Sequence, residues 1–174
     1  LTRDKDKFVS LGGRQYYARK KNADLFISLH ADSAPTSKAK GFSIYTLSDK
    51  ASDKVSAMLA RKANKTDVIA GVDLTGANAD ITDFMIELSQ KKGMQKSKGF
   101  AEILHKNVKD QIDTVSKAQR YAGFAVLKNS NMASVLIELG FVSNRSDVKK
   151  LKNSSYRGKL TKTIKQSIDE YFGL

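Results

Sequence analysis

Three short apolar runs constrain this chain more than any other feature. They are "LFISLH" within residues 23–30, "GFSIYTL" at 41–47 and "SVLIEL" at 134–139. Each has the length of a strand, and the first and last are apolar almost throughout, as expected of strands covered on both faces. Between and after them the apolar spacing turns helical. Residues 10–22 form a helix weakened by Gly12 and Gly13. Residues 51–65 place Val55, Met58, Leu59 and Ala63 on one side. A long helix over about 94–113 carries Phe100, Ala101, Leu104, Val108 and Ile112, and a closing helix over 156–172 carries Leu160, Ile164, Ile168, Tyr171 and Phe172. A further apolar run, "FAVLK" at 124–128, reads as a fourth buried strand. Strands alternating with helices predict an α/β fold with helices on both faces of the sheet. The section "TDVIAGVDLTGANADITDFMIELSQKKG" is less regular and reads as an insertion folding over something, with an apolar patch at Phe84, Met85, Ile86 and Leu88.

The 174 residues suit one domain. With no cysteine there can be neither a disulfide nor a thiolate metal site, and no apolar stretch approaches the ~18 residues of a membrane helix. The net charge of +13 suits an anionic partner, either nucleic acid or an acidic wall polymer. No aromatic RNA-binding signature, basic recognition helix or zinc-finger spacing accompanies that charge, so no nucleic-acid partner is expected.

Two residues could carry chemistry. His30 ends the first strand, and Glu138 lies near the end of the last, inside "SVLIELGF". In α/β sheets functional groups gather where strands end, so these two can face each other. A carboxylate among Val, Leu and Ile is costly to bury: it must shift its pKa upward or find a cation. That environment suits a general acid or base, but a buried salt bridge is the alternative, and the residues alone leave both open. For His30 the plainer reading is a core histidine bonded to a carbonyl. His105, beside Leu104 on the long helix, reads as solvated, and with no second histidine at ligand spacing a complete zinc site cannot be written from this chain.

Taken in order, "LTRDKDKFVSLGGRQYYARKKNADLFISLHAD", "GFSIYTLS", "GFAVLK" and "SVLIELGFVSN" resemble the zinc-dependent N-acetylmuramoyl-L-alanine amidases, which cut bacterial peptidoglycan. The insertion is most similar to that of the periplasmic branch that separates daughter cells. The resemblance implies a mixed, mostly parallel sheet flanked by helices. It implies an amidase catalytic domain over 1–174 that lacks its first strand and helix, with a regulatory insertion over 49–92. It implies zinc held by two histidines and a glutamate, whose water attacks the amide joining N-acetylmuramic acid to L-alanine. His30 matches the second histidine ligand and Glu138 the catalytic glutamate. The other two ligands precede the segment matching "LTRD" in the family, so this chain carries one of three and is expected to be inactive as it stands. The resemblance also implies peptidoglycan as substrate, a periplasmic or extracellular location and a LytM-domain activator. In that branch a helix glutamate occupies the zinc; the matching position here is Ala63, so the segment is expected to cover the cleft without plugging the metal. A degenerate, non-catalytic domain that binds wall or activator is the alternative.

Overall fold

The computed structural model describes residues 1–69, 83–109, 111–129 and 132–174. Its elements run α1 (Leu11–Lys20), β1 (Leu25–His30), β2 (Phe42–Leu47), α2 (Lys54–Ile69), α3 (Asp83–Val108), β3 (Thr114–Ala122), a 3-10 turn (Ala125–Leu127), β4 (Ala133–Glu138), α4 (Arg145–Lys152) and α5 (Ser154–Phe172). The four strands form one sheet in the order β1-β4-β2-β3. β1 and β4 are parallel, as are β2 and β3, while β2 and β4 are antiparallel. The sheet is therefore mixed and mostly parallel, as expected.

Side chains alternate across each strand and so build two cores. Phe42, Ile44, Val135 and Ile137 point to one face, where they pack with Phe100 and Leu104 of α3 and Leu160 of α5. Phe26, Tyr45 and Leu136 point to the other, against Leu11 and Ala18 of α1, Leu59 of α2 and Val126 and Leu127 of the 3-10 turn. The helices start and stop on local chemistry. Ser10 caps α1 by accepting from the Gly13 amide at 3.0 Å. Asn153 caps α5, which ends on Gly173 in the left-handed conformation at φ 70°.

Three expectations are corrected. Residues 124–128 are not a strand. Phe124, Val126 and Leu127 are buried as an apolar run should be, but the backbone of Ala125 is served by side chains rather than by a neighbouring strand. Its amide donates to Asn64 Oδ1 at 2.8 Å and its carbonyl accepts from Gln15 Nε2 at 2.6 Å. The missing strand is β3, a polar edge strand whose irregular pairing with β2 shifts register between Phe42 and Ile44. The long helix also begins earlier than its apolar face suggested, at Asp83, and takes in the backbone of residues 84–88. The centre of the expected insertion, residues 70–82, lies outside the described residues, as do the side chains of the 84–88 patch. His105 is half-buried rather than solvated, and its Nδ1 is enclosed without a hydrogen bond.

Candidate active site

β1 and β4 run side by side in register, and the pairing that ends them is His30 with Glu138. The alternation that sends Phe26 and Leu136 toward α1 and α2 sends His30 and Glu138 to the same face. The two residues singled out in the sequence are thus brought together, 108 residues apart in the chain, by parallel pairing alone.

Glu138 is fully buried. Its Oε1 accepts the Asp32 backbone amide at 2.8 Å, while Oε2 is enclosed with no hydrogen-bond partner. Burial pushes its carboxyl up from the ordinary 4.5 to about 8; the Asp32 amide and, more weakly, the Gly140 amide oppose this, and the charges of Asp32 and Asp147 add to it. The salt bridge left open by the sequence is not made: no lysine or arginine among the described residues pairs with this carboxylate.

Asp32 is the residue that sequence reasoning missed. Its Oδ2 lies 3.1 Å from His30 Nδ1, and this bond, with some help from Lys62, holds the Asp32 carboxyl below its usual range. An ionised carboxylate can only accept, so Nδ1 carries the hydrogen and a neutral His30 ring keeps its lone pair on Nε2. This is the carboxylate–histidine pairing that orients metal-binding imidazoles. The signal was present in "SLHAD": an acid two residues beyond a strand-end histidine has turned back toward it.

One ligand atom each from His30, Asp32 and Glu138 lies within 4.8 Å of the others, and this is the group among the described residues that could hold a metal ion. Imidazole nitrogen and carboxylate oxygen are donors suited to zinc. The unpartnered Oε2 of Glu138 and the free face of His30 fit a nearby cation or polar ligand better than they fit a closed core.

The site lies against a cavity of about 130 Å³, lined by His30, Asp32, Leu11 and Arg14 and by Lys62, Ala63 and Asn64 of α2. Asn64 ties α2 to the loop after β3 through the Gly123 carbonyl at 2.8 Å and the Ala125 amide. A buried carboxylate holds the other side of the sheet end in place: Asp147 Oδ2 accepts from the amides of Gly41 at 2.8 Å and Phe141 at 2.9 Å. Gly140, between Glu138 and this anchor, has φ 148°, and a Cβ there would sit 3.2 Å from the Asp147 side chain.

Residues 1–170 match the N-acetylmuramoyl-L-alanine amidase family described as Amidase_3. Among curated relatives, the amidase AmiA of Escherichia coli K12 is 31% identical over 173 residues, covering 99% of this chain and 60% of its own length. AmiC of Escherichia coli O6:H1 is 33% identical over 174 residues, covering 99% of this chain and 41% of its own. The chain therefore spans about half of the length of these relatives. Among solved structures, the catalytic domain of CwlV from Bacillus (Paenibacillus) polymyxa superposes with a TM-score of 0.67 at 22% identity, covering 99% of this chain and 71% of that one. That likeness speaks for the fold.

Proposed function

The chain belongs to the N-acetylmuramoyl-L-alanine amidase family, and from that membership we propose that it serves to hydrolyse the amide between N-acetylmuramic acid and L-alanine in peptidoglycan, with zinc as cofactor. The observation that carries this reading is the pairing of His30 with a fully buried, half-satisfied Glu138 at the ends of two adjacent strands. His30 is proposed as a zinc ligand through Nε2, oriented by Asp32. The resemblance puts the other two protein ligands ahead of the segment matching Leu1–Asp4.

The chemistry zinc supplies at such sites is acidification of water toward a pKa of ~7 and polarisation of the scissile carbonyl. Glu138 does the proton work. Its Oε1 is held by the Asp32 amide, so Oε2 is the oxygen placed to take a proton from the attacking water. Because burial displaces this carboxyl upward, it can keep that proton near neutral pH until the leaving amine needs it. The 3-10 turn, α1 and α2 pack over this face of the sheet and leave His30 and Asp32 only partly open to water.

Helix α2 is proposed to cover the cleft without blocking it, since the residue facing the cavity between Lys62 and Asn64 is Ala63, which has no metal-binding group. A periplasmic location, a role in daughter-cell separation and activation by a LytM-domain protein complete the proposal; they rest on the resemblance.

The test is peptide release from purified peptidoglycan, followed as new L-alanine amino termini. It is run on the zinc-loaded protein carrying the upstream segment, beside its E138Q and H30A variants. Loss of release in both, with wall binding retained in E138Q, supports the assignment. Full activity in E138Q would remove Glu138 from the mechanism. Zinc retained stoichiometrically by residues 1–174 alone after dialysis against a weak chelator would mean that the ligand set lies within this chain.

A further inference from the structure

Glu138 has a second neighbour in the sheet. On the side away from His30 it pairs with Ser43 of β2, so His30, Glu138 and Ser43 form one row across three strands. Ser43 shares the strand face of Tyr45, the same face to which His30 and Glu138 point. Facing residues in an antiparallel pair place their Cβ atoms ~5 Å apart. Ser43 is 1% exposed, and its Oγ has no hydrogen-bond partner. The Tyr45 hydroxyl lies beside the Ser43 and Ser56 hydroxyls; burial pushes its pKa up, those two hydroxyls and the charge of Arg120 oppose this, and the charge of Glu138 adds to it.

Ser43 opens onto a cleft of about 420 Å³ that is separate from the cavity at His30. Its walls include Lys38, Lys40, Arg120 and Thr36, with Phe141 supplying apolar surface. Among the described residues no acidic side chain lines it. Arg120 is anchored by Asp53 at 2.6 Å, which leaves the cleft an excess of positive charge from Lys38 and Lys40; neither has a salt bridge among the described residues, and Lys40 is near enough to Asp113 to help hold that carboxyl below its usual range. Glu138 thus stands between two openings on one face of the sheet. One holds the metal-type donors; the other holds cations, a buried hydroxyl and an aromatic wall.

We propose that the Ser43 cleft is a substrate subsite that binds a carboxylate-bearing portion of the peptide released by the reaction, with Ser43 at its floor and Lys38 and Lys40 at its rim. This rests on the amidase reading for the position of the scissile bond beside Glu138. The argument from charge is independent of it. A row of catalytic and binding groups across adjacent strands lets one extended substrate cross the sheet end. The muramoyl side then lies toward His30 and the peptide side toward β2 and β3. A polar ligand entering the cleft can bond this buried hydroxyl, whose nearest polar neighbour is the Tyr45 hydroxyl.

The probes are N-acetyl-L-alanyl-glutamate, with both carboxylates free, and its bis-amide. Binding of each to residues 1–174 is measured by NMR titration at low and high salt. The acid is expected to bind about tenfold more tightly than the amide, a gap that two exposed cations can supply. The gap should narrow as salt rises, and the perturbed amides should centre on residues 38–43. In K38A/K40A the acid-to-amide preference should fall to near unity; both lysines are exposed, so the fold survives their removal. S43A should weaken the acid and narrow the preference as well. Equal affinity of the wild type for acid and amide overturns the proposal, as does an unchanged preference in K38A/K40A. The amidase reading fails separately: it falls if the zinc-loaded protein with its upstream segment releases no peptide while the acid still binds here, and it stands if both forms of peptide are released equally well.

Discussion

Replacing Glu138 by glutamine isolates what its burial costs. The carboxyl is displaced from 4.5 to about 8, chiefly by burial. The folded chain therefore binds this proton more tightly than the unfolded chain does. Between pH 4.5 and 8 stability must fall as pH rises, by ~1.36 kcal/mol per pH unit. From pH 5 to pH 7 the loss is about 3 kcal/mol, and over the whole window it approaches about 5 kcal/mol. Glutamine has the same shape, keeps an oxygen for the Asp32 amide and carries no charge, so E138Q removes this dependence. Asp32, Asp53 and Asp113 are displaced in the opposite direction. Each contributes stability that is lost only as pH falls through their lowered values, below the window. The assay is urea unfolding of chelator-dialysed wild type and E138Q at pH 5, 6 and 7. E138Q should gain on wild type by about 3 kcal/mol across that range. A difference that stays constant within ~0.5 kcal/mol would refute the reasoning and mean that Glu138 is solvated or paired.

Other perturbations test the supports of the site. D32A removes the acceptor on His30 Nδ1 and should lower zinc affinity by about 10–100-fold in the protein with its upstream segment, read by competition with a chromophoric chelator. D147A leaves the buried amides of Gly41 and Phe141 without an acceptor and should cost about 2–5 kcal/mol in urea unfolding. G140A, strained at φ 148° and crowded by Asp147, should cost about 1–3 kcal/mol in the same assay. N64A breaks both bonds that hold α2 to the loop after β3; it should cost about 1–3 kcal/mol and speed hydrogen exchange in α2 while leaving β4 protected.

The local patterns legible in the sequence were those with strong periodicity. β1, β2 and β4 are apolar runs of strand length, and α1, α2 and α5 carry helical spacing with recognisable ends. The two residues singled out for chemistry are also the two that meet. Where local pattern misled, the cause was competition for backbone hydrogen bonds. Residues 124–128 have the apolarity of a strand, yet Asn64 and Gln15 meet the polar groups of Ala125 and hold the segment as a turn. β3 escaped notice because an edge strand half open to water needs few apolar residues.

The sequence by itself determined an α/β chain with a histidine and a glutamate at strand ends, since periodicity and burial cost are local properties of residue order. Only the tertiary structure decided that His30 and Glu138 share a register position, that Asp32 folds back onto the imidazole, and that Ser43 lies on the other flank of Glu138. Register is set by pairing between strands more than 90 residues apart in the chain. A one-residue slip would turn each of these side chains to the opposite face.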